Sequence, residues 1–326
     1  MWDEGGGGDA GTVLIDIRRV QPVIMSDPAS CEPLEFQLPV ANNPVIPVLL
    51  VQFAVERAGD EAAAKLARQI PRALGRRLAR SGRFEVRTFI ARDRVDGREV
   101  FINSTALPDP DALAALAGMH HARVVLAGKI GVGERIRIEA RIYDAGHGRE
   151  VYAKGFDVYA TYTFDALEEL TVRLAQIAGI EMTRDERVQL LRRETESWEA
   201  YLYFLLAEDD RYGLSLGLAP DRPLGTVDMY CEALAIDAEF EAAESGVVAY
   251  LLEALQRETI SETEVDVALQ RVAALAPTLL SARRALLYRA LADDQFERAH
   301  RIVSELRSLH PDHQDLLREL EELVGR

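Results

Sequence analysis

The sequence predicts an α+β protein: a mixed β-sheet with helices on one face, followed by an all-α helical repeat domain. Three observations predict it. Apolar runs of strand length alternate with amphipathic helical stretches through the first half of the chain. The stretch RIRIEARIYDAGHGREVYAKGF, residues 135–156, alternates, turns on two glycines and alternates again, as an antiparallel hairpin does. From Phe164 onward the pattern is helical to the end.

The elements follow in order. Residues 1–11 are glycine-rich, and TVLIDIRRV after them reads as a strand. Residues 21–47 carry Pro22, Pro28, Pro33, Pro39, Pro44 and Pro47, so 1–44 is expected to be an extended or disordered arm. VIPVLLVQFAV (45–55) is a continuous apolar run, expected to be a strand buried on both faces. In 59–82, Leu66, Ile70, Leu74 and Leu78 recur every four residues and form one helical stripe. Asp60 suits its N-cap, Gly82 its stop, and Pro71 predicts a kink. FEVRTFI alternates as a strand, a polar connection leads to a helix over PDALAALAGMH, and RVVLAGKI is a further strand apolar on both faces. In the hairpin, Ile142 opposite Val151 places Ala140 against Ala153 and Glu139 against Lys154, satisfying apolar and charged pairs together.

The 326 residues suffice for more than one domain and a sizeable core, and the composition is that of a soluble globular chain. Charge divides the chain. Residues 1–180 hold 24 acids and 22 bases, whereas 181–326 hold 30 acids and 16 bases. An acidic second half argues against nucleic-acid binding through that half. Cys31 and Cys231 form no ligand or disulfide pattern. No signal peptide and no membrane-spanning run is read in the sequence, so a cytoplasmic location without membrane insertion is expected.

The helical half repeats. Segments beginning at Asp228, Ala268 and Arg301 each read as a helix, a turn and a new helix, with turns at Ala238, Pro277 and Pro311, spaced by 39 and 34 residues. A helix-pair period near 34 is the tetratricopeptide signature. The last unit, ALLYRALADDQFERAHRIVSELRSLHPDH, is the clearest; Phe296 and Ala299 open its second helix and Leu306 packs near its end. The two earlier units are degenerate.

Residues 46 to about 160 resemble the TolB amino-terminal-like domain, as it occurs fused to tetratricopeptide repeats in many bacterial proteins. VLLVQF matches the family's opening strand, SGRFEVRTF the segment after its first helix, AGMHHARVVLAGKI the helix-to-strand step, and the 135–156 stretch the closing hairpin. The resemblance implies a non-enzymatic module. The β-propeller and signal peptide of periplasmic TolB are absent from the sequence, so a role with the Tol–Pal system does not carry over. The expected organisation is an arm over 1–44, a TolB-N-like domain over 45–162, connecting helices over 163–194 and degenerate TPR-like repeats over 195–326, with the two halves folding separately.

Motifs with chemical meaning are few. GLSLG (213–217) matches G-x-S-x-G around Ser215, but a helix precedes it where a nucleophile elbow needs a strand. GKIGVG (128–133) lacks the order of a phosphate-binding loop and runs in a strand. His120 and His121 end a helix, where adjacent side chains diverge and do not chelate one ion together; His310 and His313 flank a turn, where surface histidines are the favoured reading over a metal site. No cofactor, metal or catalytic set is assigned.

Two surfaces stand out for partners. Arg137, Arg141, Tyr143, Tyr152, Lys154 and Phe156 make an aromatic and basic hairpin surface, able to stack single-stranded bases between cations. From Lys65 to Arg98 there are 11 bases and three acids, and Lys65, Arg68, Arg72 and Arg76 share a helical face. That face suits an acidic partner or the acidic half of the same chain, and its reversal to glutamate is expected to loosen a contact without unfolding the domain, since it lies off the apolar stripe. The function expected is a non-enzymatic bacterial scaffold binding other proteins, self-association included. Single-stranded nucleic-acid binding through the hairpin is the alternative, with nucleic acid the disfavoured partner.

Overall fold

The computed structural model describes residues 45–95, 98–311 and 314–324, all within one compact unit. The expected arm over 1–44, with Cys31, lies outside the described residues, as does His313. The sheet comprises β1 (Ile46–Val51), β2 (Ala54–Val55), β3 (Phe84–Phe89), β6 (Val124–Gly131), β7 (Ile136–Asp144) and β8 (Arg149–Val158). A separate two-stranded hairpin, β4 (Arg92–Val95) with β5 (Arg98–Phe101), occupies the connection after β3. The main sheet has the order β3-β1-β6-β7-β8, with β2 also on β6; β1 is parallel to β3 and β6, while β6, β7 and β8 are antiparallel. The helices of this half are α1 (Glu61–Ala79), α2 (Pro110–Met119), α3 (Thr163–Ile177) and α4 (Arg184–Leu191). The class is α+β, with a mixed sheet followed by a helical region.

The helices do not share one face of the sheet. Val48, Leu50, Val124 and Leu126 pack in the same core as α1 and α3, whereas Leu49, Val51, Val125 and Ala127 pack with Leu113 and Leu116 of α2. Successive strand residues point to opposite sides, so β1 and β6, apolar at nearly every position, require cover on both. Helix α2 supplies the second layer.

Helix α1 begins where expected. Asp60 Oδ1 accepts from the Ala63 backbone N–H at 2.9 Å, and Gly82 follows the helix with φ +65°. The helix runs through Pro71 to Ala79. Pro71 has no N–H to offer the Ala67 carbonyl one turn earlier. That carbonyl accepts instead from Phe53 N–H at 2.9 Å, tying the break between β1 and β2 to the middle of α1.

The β7–β8 hairpin also departs from expectation. Tyr143 pairs with Glu150, but Ile142 pairs with Tyr152, which leaves Val151 as an extra residue in a β-bulge. Beyond it Ala140 faces Lys154 and Ile138 faces Phe156, one residue away from the expected register. The bulge turns Phe156 and Tyr152 onto the side of Ile138 and Ile142, where they join the core with α3. An unbulged hairpin would hold them on the opposite side.

The second half consists of α5 (Trp198–Ser215), α6 (Pro223–Ile236), α7 (Glu241–Gln256), α8 (Glu262–Leu275), α9 (Ser281–Ala292), α10 (Phe296–Leu309) and α11 (Gln314–Val324). From α6 onward each helix packs on the one before it, and α7, α8 and α9 also pack on the helix two back. The turns after α6, α8 and α10 fall at the three expected positions, beside Ala238, Pro277 and Pro311. Ser261 and Glu264 form a capping box at α8. Helix α9 lacks a local side-chain cap, and the buried Glu244 of α7 accepts from Ala282 N–H at 2.7 Å in its place. The expected boundaries at 162/163 and 194/195 fall between elements, but one apolar core crosses both, running from β1 through α3 and α5 to α10. Leu306 of α10 is 1% exposed. Replacing it with alanine should lower the free energy of unfolding by about 2–5 kcal/mol through the cavity left behind, as measured by chemical denaturation.

Candidate functional site

The apolar stripe of α1 points to the sheet, and the adjoining basic face points to α5. Lys65, Arg68, Arg72 and Arg76 recur at three- and four-residue steps, so they form one row along the helix. Opposite them α5 presents Phe204, Glu208, Asp209, Asp210 and Tyr212. Arg68 holds Asp209 with two bonds, Nε to Oδ1 at 2.9 Å and Nη2 to Oδ2 at 2.5 Å, and the two side chains are only 7% and 3% exposed. Gln69 Nε2 donates to the same carboxylate at 3.2 Å. Arg68 Nη1 donates to Asn103 Oδ1 at 3.0 Å, and the guanidinium lies over the Phe101 ring at 4.3 Å.

The row continues on either side of that pair. Lys65 Nζ donates to Asp210 at 2.6 Å, and Thr226 donates to the other oxygen of Asp210 at 2.9 Å. Arg72 stacks on Tyr212 at 3.8 Å, and Tyr212 stacks in turn on Phe101. Burial holds the Arg72 guanidinium below the usual arginine range, with Tyr212 opposing the shift. Arg76 lies over Phe204 and 3.8 Å from Glu194, which also accepts from Arg80 at 2.5 Å. The four cations therefore face the acidic half of the same chain, and Arg68 is buried there rather than presented to solvent. Behind the row, burial pushes the Glu208 carboxyl up, but bonds from Arg211 at 2.8 and 2.9 Å and from the Tyr230 hydroxyl at 2.6 Å hold it below the ordinary glutamate range.

The hairpin residues are not brought together. Tyr143 is buried beneath α2. Arg137 pairs with Glu56 at 2.6 Å and Arg141 with Glu139 at 2.8 Å on that same side of the sheet. The bulge places Tyr152 and Lys154 on the other side, where both donate to Glu169 of α3, at 3.3 and 2.7 Å. Burial, with Glu169 beside it, pushes the Tyr152 hydroxyl up to about 12. Phe156 is buried. A continuous stacking platform would need all of these on one face.

Other motifs resolve into structure. Ser215 is the last residue of α5 and donates to the Tyr212 carbonyl at 2.7 Å, in a helix end rather than a strand-to-helix elbow. Gly128 lies within β6, where a Cβ would meet the Glu139 carbonyl at 2.7 Å and the Phe53 ring at 2.8 Å, so close packing demands a glycine. His120 caps the end of α2 with its ring edge-on to Phe89; burial, then Arg87, lowers its pKa. Among the described residues no group of His, Cys, Asp or Glu could hold a metal ion, and no helix is long and apolar enough to cross a membrane. Cys231 is buried, and burial pushes its thiol up to about 11.

Asp209, Asp210, Asn103 and Phe101 complete the row, and no sequence motif marks them. The available signal was the pair of aspartates in mid-helix after the apolar run WEAYLYFLLAEDD.

No family model matches the chain, and no curated protein matches it. Among solved structures, it is similar to PelC dodecamers from Paraburkholderia phytofirmans at 15% identity, covering 47% or 46% of this chain and 91% of the PelC chain, with a TM-score of 0.24. A likeness at that score carries no argument about fold or activity.

The burial of Arg68 changes the outcome expected of its substitution. Arg68→Ala should cost about 3–5 kcal/mol in denaturant unfolding, because Asp209 is left charged and unpaired in the interior. The triple reversal of Arg68, Arg72 and Arg76 to glutamate should abolish cooperative thermal unfolding rather than loosen a surface contact.

Proposed function

We propose that the protein is a non-enzymatic bacterial scaffold acting in the cytoplasm, in which a TolB-N-like sheet domain braces a TPR-like array that binds other proteins, further copies of itself included. One observation carries the reading: an exposed, partly apolar stripe on the helical region. Ser245, Ala249, Leu252 and Gln256 of α7 are exposed in succession, with Leu252 46% exposed. A shallow hollow of about 610 Å³ lies over Ala249, Leu252, Glu253, Gln256 and Arg257. Helix α9, which packs on α7, exposes Tyr288 at 43%. Exposed leucine and tyrosine side chains beside charged groups have the composition of a protein-binding surface. Stacked helix pairs supply such surfaces without chemistry of their own. The pairing of the basic row with α5 supports the same reading, since it leaves the row engaged within the chain.

The test compares the intact chain with its Leu252→Glu/Tyr288→Glu variant in quantitative affinity isolation from bacterial extract, with analytical ultracentrifugation of each. The variant should stay folded and lose bound proteins or self-association by at least about tenfold, a loss of roughly 1.4 kcal/mol or more. Equal recovery and equal mass for both proteins would remove the α7–α9 surface from the account.

A further inference from the structure

The connections around β1 diverge. The chain passes from β1 to β3 through α1 over one face, then from β3 to β6, on the other side of β1, through α2 over the opposite face. In sheets wound in this way, ligands bind beyond the carboxyl ends of the strands, where the connections part. The protein has a cleft of about 370 Å³ just past β2, between the start of α1 and the end of α5. Val55, Phe101 and Leu218 form its apolar wall, and Asp60, Lys65 and Asn103 bring polar groups into it. The buried Arg68–Asp209 pair also lines it.

The polar groups retain bonding capacity of both signs. Asn103 Oδ1 accepts from Gln52 Nε2 at 3.2 Å and from Arg68 Nη1 at 3.0 Å. Two donors on that oxygen fix the orientation of the amide, so Nδ2 carries two donor hydrogens without an acceptor among the described residues. Asp60 uses Oδ1 to cap α1, and its Oδ2 has no donor or cation partner among the described residues. Lys65 Nζ sits between Asp210 at 2.6 Å and Glu61 at 3.8 Å, with donor hydrogens beyond the first bond. Asn103 is exposed and Asp60 half-buried, so solvent reaches both groups, and a ligand carrying both an anionic and a cationic group would engage the donors and the acceptor together.

We propose that this cleft binds a free α-amino acid. Its carboxylate accepts from Asn103 Nδ2 and Lys65 Nζ, its ammonium group donates to Asp60 Oδ2, and its side chain lies along Val55, Phe101 and Leu218. The proposal is independent of the scaffold reading, which rests on α7 and α9.

The test titrates glycine, leucine, phenylalanine, glutamate and lysine separately into the intact protein, followed by melting temperature and calorimetry. At least one should raise the melting temperature measurably at about 10 mM. The N-acetyl and amide derivatives of that amino acid, each lacking one of its charges, should bind at least about tenfold more weakly. Asp60→Asn preserves the helix cap and removes the charge. Asn103→Asp preserves the acceptor for Gln52 and Arg68 and removes the donors. Each variant should bind at least about tenfold more weakly, and because they lie on different elements either one that folds decides the matter. The proposal is overturned if none of the five amino acids shifts the melting temperature, if the capped derivatives bind as well as the free amino acid, or if the folded variants bind it undiminished.

Discussion

The two-bond contact between Arg68 and Asp209 is the constraint that joins the two halves of the molecule. A guanidinium and a carboxylate each lose several kcal/mol of hydration on burial, and only a well-formed pair with further hydrogen bonds offsets that loss. Here the further bonds are present: Gln69 supports Asp209, while Asn103 and the Phe101 ring support Arg68. The pair spans 141 residues of chain, from a helix that covers the sheet to the first helix of the array. Helix α1 is thus a wall shared by both halves, with Leu66, Ile70 and Leu74 toward the strands and its cations toward α5. The row from Lys65 to Arg80 extends the contact over several turns, alternating carboxylates with aromatic rings.

Pro71 contributes to the same arrangement from the sheet side. By releasing the Ala67 carbonyl it gives Phe53 N–H a partner, and this fixes the bend between β1 and β2. Gln52, beside that bend, donates to the Ile102 carbonyl and accepts from Ala91 N–H, at 2.8 and 3.2 Å. Both ends of the β4–β5 hairpin are held in this way. One hydrogen-bonded path therefore runs from the hairpin base through Gln52, Asn103 and Arg68 to Asp209.

Features governed by local pattern were legible in the sequence. The largely apolar runs of β1 and β6, the four-residue stripe of α1 and the turns beside Pro277 and Pro311 each follow from nearest-neighbour geometry. What was not legible depended on pairing between distant segments. The placement of α2 on the opposite face follows from the two-sided apolar character of β1 and β6, but that character alone does not say which helix covers which side. The bulge at Val151 was hidden because the regular register also matched apolar with apolar residues; the burial of Phe156 against α3 decides between them. The basic row could be seen on α1, but nothing local identifies Asp209 as the partner of Arg68. A charged face off the apolar stripe looks solvated until the helix that covers it is known.

The claim that the sheet and the array share one stabilising wall is tested most directly by native-state hydrogen exchange of β6 and α7 in the wild-type protein and the Arg68→Ala variant. These segments lie in different halves, and neither contains the substituted residue. The account predicts that both lose protection by the same free energy, because removing the pair weakens one cooperative unit. Full wild-type protection in β6 alongside lost protection in α7 would contradict it, and would show that the array opens without the sheet.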